Sequence, residues 1–131
     1  MGVTPRDTKV WQEAIGLAAD VIRVVRRTTR RETKAFTDAL MLASSAAASA
    51  IAEAPTRPTP SEERECYARA RRALVTVETQ LAIARVSGII PTSVHAQLAS
   101  RVASLSQRVS NSLNHVEHPA DASPTASLPM L

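Results

Sequence analysis

The residues with the clearest chemical potential are cations. Arg23, Arg26, Arg27, Arg30, Arg31 and Lys34 fall within twelve positions, and half of the chain's Lys and Arg lie at or before Lys34. A guanidinium presents a planar fork of donors that fits phosphate oxygens, so such a run suits the backbone of RNA or DNA. It equally suits a solvated helix end, where cations complement the dipole. The chain has one Trp, one Tyr and one Phe, too few for a platform on which bases stack. Any nucleic-acid contact is therefore expected to fall on backbone phosphate and to weaken with salt.

The other reactive groups are sparse. Ser44, Ser45 and Ser49 lie in an Ala- and Ser-rich stretch, and no base is identifiable that would activate a nucleophile there. His115 and His118, with Glu117 or Asp121, have a spacing that a metal could use, but histidines at a helix end more often serve the dipole. The E-x-x-H pair of di-iron bundles is absent. Cys66 is the single cysteine, so no internal disulfide forms, and it reads as a small core residue. We assign no catalytic, cofactor or metal site and identify no small-molecule substrate. Glu53 with Arg57, and Arg71 with Glu78, read as structural ion pairs; the second pair lies seven apart on one helix face.

Helices must position these residues. The stretch from Ala68 to Gly88 repeats apolar residues at Ala70, Leu74, Val77, Leu81 and Ala84, the spacing of one buried helical stripe. A first helix is expected over about 7–28, with Val10, Trp11, Ala14, Ile15, Ala18, Val21, Ile22 and Val25 as one apolar face. A second is expected over about 31–54, opened by the T-x-x-E spacing of Thr29 and Glu32 and striped by Phe36, Leu40, Ala43, Ala47 and Ile51. Pro55, Pro58 and Pro60 break the pattern. Thr59-Pro60-Ser61-Glu62 then reads as a capping box that starts a third helix over about 60–87, and Gly88 fits the left-handed position after it. The fourth, about 92–116, carries Val94, Leu98, Val102, Leu105, Val109, Leu113 and Val116 in a heptad-like seam.

Four helices with short connections predict an all-α, up-down-up-down antiparallel four-helix bundle over 7–118, with an N-terminal arm at 1–6 and a disordered tail at 119–131. Small and branched aliphatics make its core thin, so helices are expected to approach closely or to bury more surface between subunits. The 131 residues suffice for one domain, and the net charge is +4. No apolar run of signal-peptide or membrane-span length is evident, which leads to an expected cytoplasmic location and no membrane partner.

Particular residues also resemble a known family. Asp7-Thr8-Lys9-Val10-Trp11-Gln12-Glu13-Ala14 is similar to the opening of the four helix bundle protein family, also called the ribosomal RNA intervening-sequence proteins. Ile51-Ala52-Glu53 resembles its I-A-E-G signature. Ala70-Arg71, Leu74 and Val77-Glu78-Thr79-Gln80-Leu81 resemble its A-R-G-S-L-x-E-L-E-T-Q-L block, and Ala84 with Gly88 its A-x-x-x-G. The chain departs from the family at Ala48, Ala50, Ala54, Arg72 and Ala73, where Pro, Asn, Gly, Gly and Ser are usual. The resemblance spans about residues 6–116. It implies a cytosolic bundle without enzymatic activity, assembled as a homo-oligomer into a ring of five. It also relates the chain to the accessory variability determinants of diversity-generating retroelements, which pair with a reverse transcriptase and bind nucleic acid. The expected role is thus a non-enzymatic scaffold for a protein or nucleic-acid partner. The alternative is a basic accessory protein that binds RNA or DNA or a nucleic-acid enzyme.

Overall fold

The computed structural model describes residues 8–117. Four helices run α1 Lys9–Thr28, α2 Lys34–Glu53, α3 Pro60–Val86 and α4 Thr92–Glu117. Short 3-10 turns at Arg31–Thr33 and Ala54–Thr56 precede and follow α2. Among the described residues there is no strand. The N-terminal arm expected at 1–6 and the tail expected at 119–131 lie outside the described residues.

Local chemistry explains most helix ends. Thr8 caps α1 by accepting from the Trp11 N–H, and Thr59 caps α3 by accepting from the Glu62 N–H at 3.2 Å. Pro60 occupies the first helical position of α3, where its missing N–H costs nothing. Gly88 has a φ of +84°, and the Ile89 N–H reaches back to the Ala84 carbonyl at 2.8 Å to close the helix.

The start of α2 differs from expectation. Thr29 does not cap it. Its hydroxyl donates instead to the hydroxyl of buried Thr37 at 2.9 Å, and Thr33 accepts from the Arg30 N–H at 3.1 Å. The chain leaves α1 extended at Thr29 and takes a 3-10 turn before the α-helix begins at Lys34. The tertiary demand of the buried Thr37 hydroxyl thus overrides the local capping signal.

The helices pack around one core, each against its neighbours in sequence, with α4 closing back onto α1. The pairs Asp20–Arg101 and Glu13–Arg108 fix the last contact: seven residues back on α1 is seven forward on α4, so the two helices run antiparallel. The whole central stripe of α3, Ala70, Leu74, Val77, Leu81 and Ala84, is buried. So are Leu98, Val102, Leu105, Val109 and Leu113 of α4. On α1 the buried line is narrower than the apolar face in the sequence. Ala14, Leu17, Val21 and Val25 are inside, but Ile15 and Ile22, seven apart on one face, remain 44% and 38% exposed.

Contrary to the sequence expectation, the helical stretch Arg31–Thr56 is long and apolar enough by length and composition to cross a membrane. In the fold it supplies core residues, including Leu40, Ala47, Ala48 and Ile51, and packs between α1 and α3. Its apolarity reflects alanines that let α2 and α3 lie close together, the most extensive helix contact in the molecule.

Candidate nucleic-acid interface at one end of the bundle

The end of α1, the start of α2, the turn after α3 and the start of α4 meet at one end of the bundle. Phe36, Leu40, Leu81, Ile89, Ile90 and Leu98 plug this end from within. Outside the plug the fold divides the arginine run rather than presenting it as one patch. Arg23 and Arg27 line a cleft of about 180 Å³ against Val94, Gln97 and Arg101 of α4. Arg27 and Arg30 line a second cleft of about 290 Å³ against Ser87 and Gly88. Arg27 is the wall common to both.

The first cleft is partly neutralised from within. Asp20 accepts from both Arg23 and Arg101. Gly16 makes room for this clamp. A Cβ there would sit 2.6 Å from a terminal nitrogen of Arg101, so the Arg101 guanidinium lies directly over α1. Two turns further, Arg108 Nε stands 2.9 Å from Glu13 Oε1, close enough for charge attraction but without the alignment of a hydrogen bond. Among the described residues the second cleft has no carboxylate in its wall. Among the described residues Arg27 and Arg30 form no ion pair, and the same holds for Arg26 and Arg31, which line neither cleft. Lys34 is tied to Asp38 at 2.7 Å.

Residues 6–111 match the family model of the 23S rRNA-intervening sequence protein. That is most of the chain. This chain belongs to the 23S rRNA-intervening sequence protein family. No curated protein matches it. The family match begins two residues before the first described one and ends within α4, so it takes in the basic end of this intervening-sequence protein and nearly the whole bundle.

The expected structural ion pairs form with other partners. Glu53 bonds Arg69 of α3 at 2.8 Å, not Arg57. The chain turns extended at Arg57 and carries its side chain into solvent, whereas Arg69 projects from α3 onto the end of α2. Arg57 contributes only as a further positive charge near Glu53. Arg71 and Glu78 are exposed and form no ion pair among the described residues. The seven-residue bridge on α3 is made instead by Glu65 and Arg72 at 2.9 Å. The Arg69 hydrogen bond and charge hold the Glu53 carboxyl below its ordinary value.

The remaining reactive groups are used in packing. Cys66 is buried, and burial pushes its thiol above its ordinary value. Burial likewise raises the Tyr67 phenol, assisted by the charge of Glu63 and partly offset by Ser112. Ser44 is buried and donates its hydroxyl to the Met41 carbonyl at 2.9 Å; Ser45 and Ser49 are exposed. His115 is exposed near the end of α4, and His118 and Asp121 lie outside the described residues. Among the described residues no group of three or more His, Cys, Asp or Glu is placed to hold a metal ion.

Two participants were missed in the sequence. Arg101 stands out on α4 as a charge among Ser, Gln and Ala. Gly16 offered a stronger signal, since a glycine inside a helix costs about 1 kcal/mol against alanine.

Proposed function

We propose that this intervening-sequence family member is a non-enzymatic, self-assembling scaffold that keeps its basic end available to a nucleic-acid partner. The observation that carries the proposal is an uncharged outer surface. Between Asp38 and Glu53 no residue of α2 is charged, yet Leu42 is 71% exposed and Ala46 and Ser49 also face outward. On neighbouring α3, Val75, Ile83 and Val86 are exposed as well. A soluble helix normally dresses such a face with charge. A second copy is the natural cover, because the small side chains that let α2 approach α3 would let another helix approach too. The five-membered ring implied by the family resemblance is the form of assembly we propose.

Size-exclusion chromatography with light scattering tests this. The expected particle is five times the 14.0 kDa chain, and Leu42→Glu should reduce it to monomers while leaving helicity intact. A wild-type monomer at all concentrations would remove the scaffold reading. The protein absorbs weakly, with one Trp and one Tyr, so recording at 260 nm reveals carried nucleic acid.

A second reading, a nucleic-acid accessory protein, is favoured by the charge distribution. The half of the bundle holding the arginine run carries eight Lys and Arg against four Asp and Glu, and the opposite half is close to balance. Such an asymmetric field attracts polyanions. Reverse-transcriptase pairing and a cytoplasmic location belong to this reading as proposals that rest on the family resemblance.

A further inference from the structure

Two conditions separate a phosphate seat from a merely basic surface. The cations must line a concavity, and no carboxylate within it should already satisfy them. Arg26 and Arg31 have no acid partner among the described residues but line neither cleft. Arg23 and Arg101 line a cleft but share Asp20. Lys34 is paired on the surface with Asp38. Only Arg27 and Arg30, among the described cations of this end, meet both conditions, and they stand in the same cleft.

We infer that this cleft, between the α1–α2 turn and the turn after α3, seats one phosphate group held by the Arg27 and Arg30 guanidiniums. The inference deepens the nucleic-acid reading and rests on it for the source of the phosphate, a backbone phosphodiester. The other polar groups of the wall define its shape rather than donate. The Ser87 hydroxyl is spent on the Ile83 carbonyl at 2.7 Å, and the Thr33 hydroxyl on the Arg30 carbonyl at 3.3 Å. The Gly88 N–H is spent on the Arg85 carbonyl at 3.1 Å. Specificity for phosphate over other anions therefore falls to the two guanidinium forks, each able to give paired N–H donors to two oxygens. Ile89 lines both this cleft and the apolar plug beneath it, so the floor is braced by packed side chains.

The test compares two double variants of the full chain, Arg27→Ala/Arg30→Ala and Arg26→Ala/Arg31→Ala. They remove the same charge from the same end. All four arginines are exposed, so both should keep the wild-type melting temperature. Binding to a fluorescein-labelled RNA is read by anisotropy across a salt series. The first variant should weaken binding about tenfold or more and flatten the salt dependence by about 0.7–0.9 in log–log slope, the share of one lost phosphate contact. The second should weaken it several-fold less. Equal losses would overturn the seat while leaving a diffuse basic interface standing. Wild-type protein that binds no RNA would overturn the nucleic-acid reading itself. The seat is then decided by pyrophosphate. A thermal upshift of the wild type that Arg27→Ala/Arg30→Ala abolishes supports a site for free phosphates, and no upshift overturns it.

Discussion

The two ends of the bundle use the same kinds of residue in opposite ways. Around the α2–α3 end three arginines face carboxylates, while Arg57 and Arg71 stay in solvent. Arg69 is bonded to Glu53, Arg72 to Glu65, and on the adjoining α1–α4 seam Arg108 stands against Glu13. At the other end Arg26, Arg27, Arg30 and Arg31 have no such partners among the described residues. The interiors differ too. Under the basic end the core is bulky, with Phe36, Leu40, Leu81, Ile90 and Leu98. At the opposite end Ala47, Ala48, Ala50, Ala54, Ala70 and Cys66 share the core with the larger Ile51, Tyr67 and Leu113. Small core residues bring α2 and α3 close enough for cross-helix pairing.

The sharpest way to break this contrast is to exchange the packing styles. Leu81→Ala, beneath the basic end, should cost about 3 kcal/mol, from lost burial and a residual cavity. At the alanines of α2 the opposite change is the damaging one. Ala47→Leu should cost about 1–3 kcal/mol by forcing α2 and α3 apart. Urea unfolding checks both. An Ala47→Leu protein as stable as the wild type would mean that the alanine seam is loosely packed and the contrast is unreal.

A smaller effect is expected at the turns. Gly88 has room for a side chain, since a Cβ would meet nothing within 4 Å, so substitution is opposed only by its positive φ. Gly88→Ala should therefore cost about 1–2 kcal/mol. Thr59→Ala, which removes a cap at the opposite end, should cost about 1 kcal/mol. Comparing their thermal midpoints separates backbone strain at the basic end from capping at the other. An unstrained Gly88→Ala protein would show that the turn beside the arginine cleft relaxes easily.

The smallest effect concerns the paired charges. Glu53 is held below its ordinary value chiefly by Arg69. A carboxyl whose folded pKa is lowered adds stability above its unfolded pKa, and that addition is lost as pH falls through the folded value. The Glu53 side chain is 51% exposed, so solvent screens the pair and the change in stability should be slight. It is visible by NMR, where Arg69→Ala should move the Glu53 carboxyl titration up toward the ordinary glutamate range. Titration unchanged by that substitution would mean the pair is geometric only, and the two ends would then differ less than their contacts suggest.

Much of the architecture was legible before the structure. The α3 stripe and α4 seam obey a single period, and each of their central apolar positions is inside. The proline break and the Thr59 cap are local signals whose strength does not depend on distant residues. The α2 start failed because Thr29 answers to Thr37, a partner eight residues away across a turn. The candidate interface was legible only as a list of cations. Periodicity cannot say that Arg27 enters two clefts while Arg26, one residue earlier, enters neither.

Four amphipathic helices, their breaks, the alanine character of α2 and the excess of cations near residue 30 are all written in the order of residues alone. These follow from local propensity and short-range periodicity, which each segment carries with it. Tertiary structure decided which charges are consumed and which are left. Glu53 met Arg69, sixteen residues away, and Asp20 met Arg101, eighty-one away. Pairing of charges depends on through-space distance, and only the antiparallel packing of the helices sets that distance.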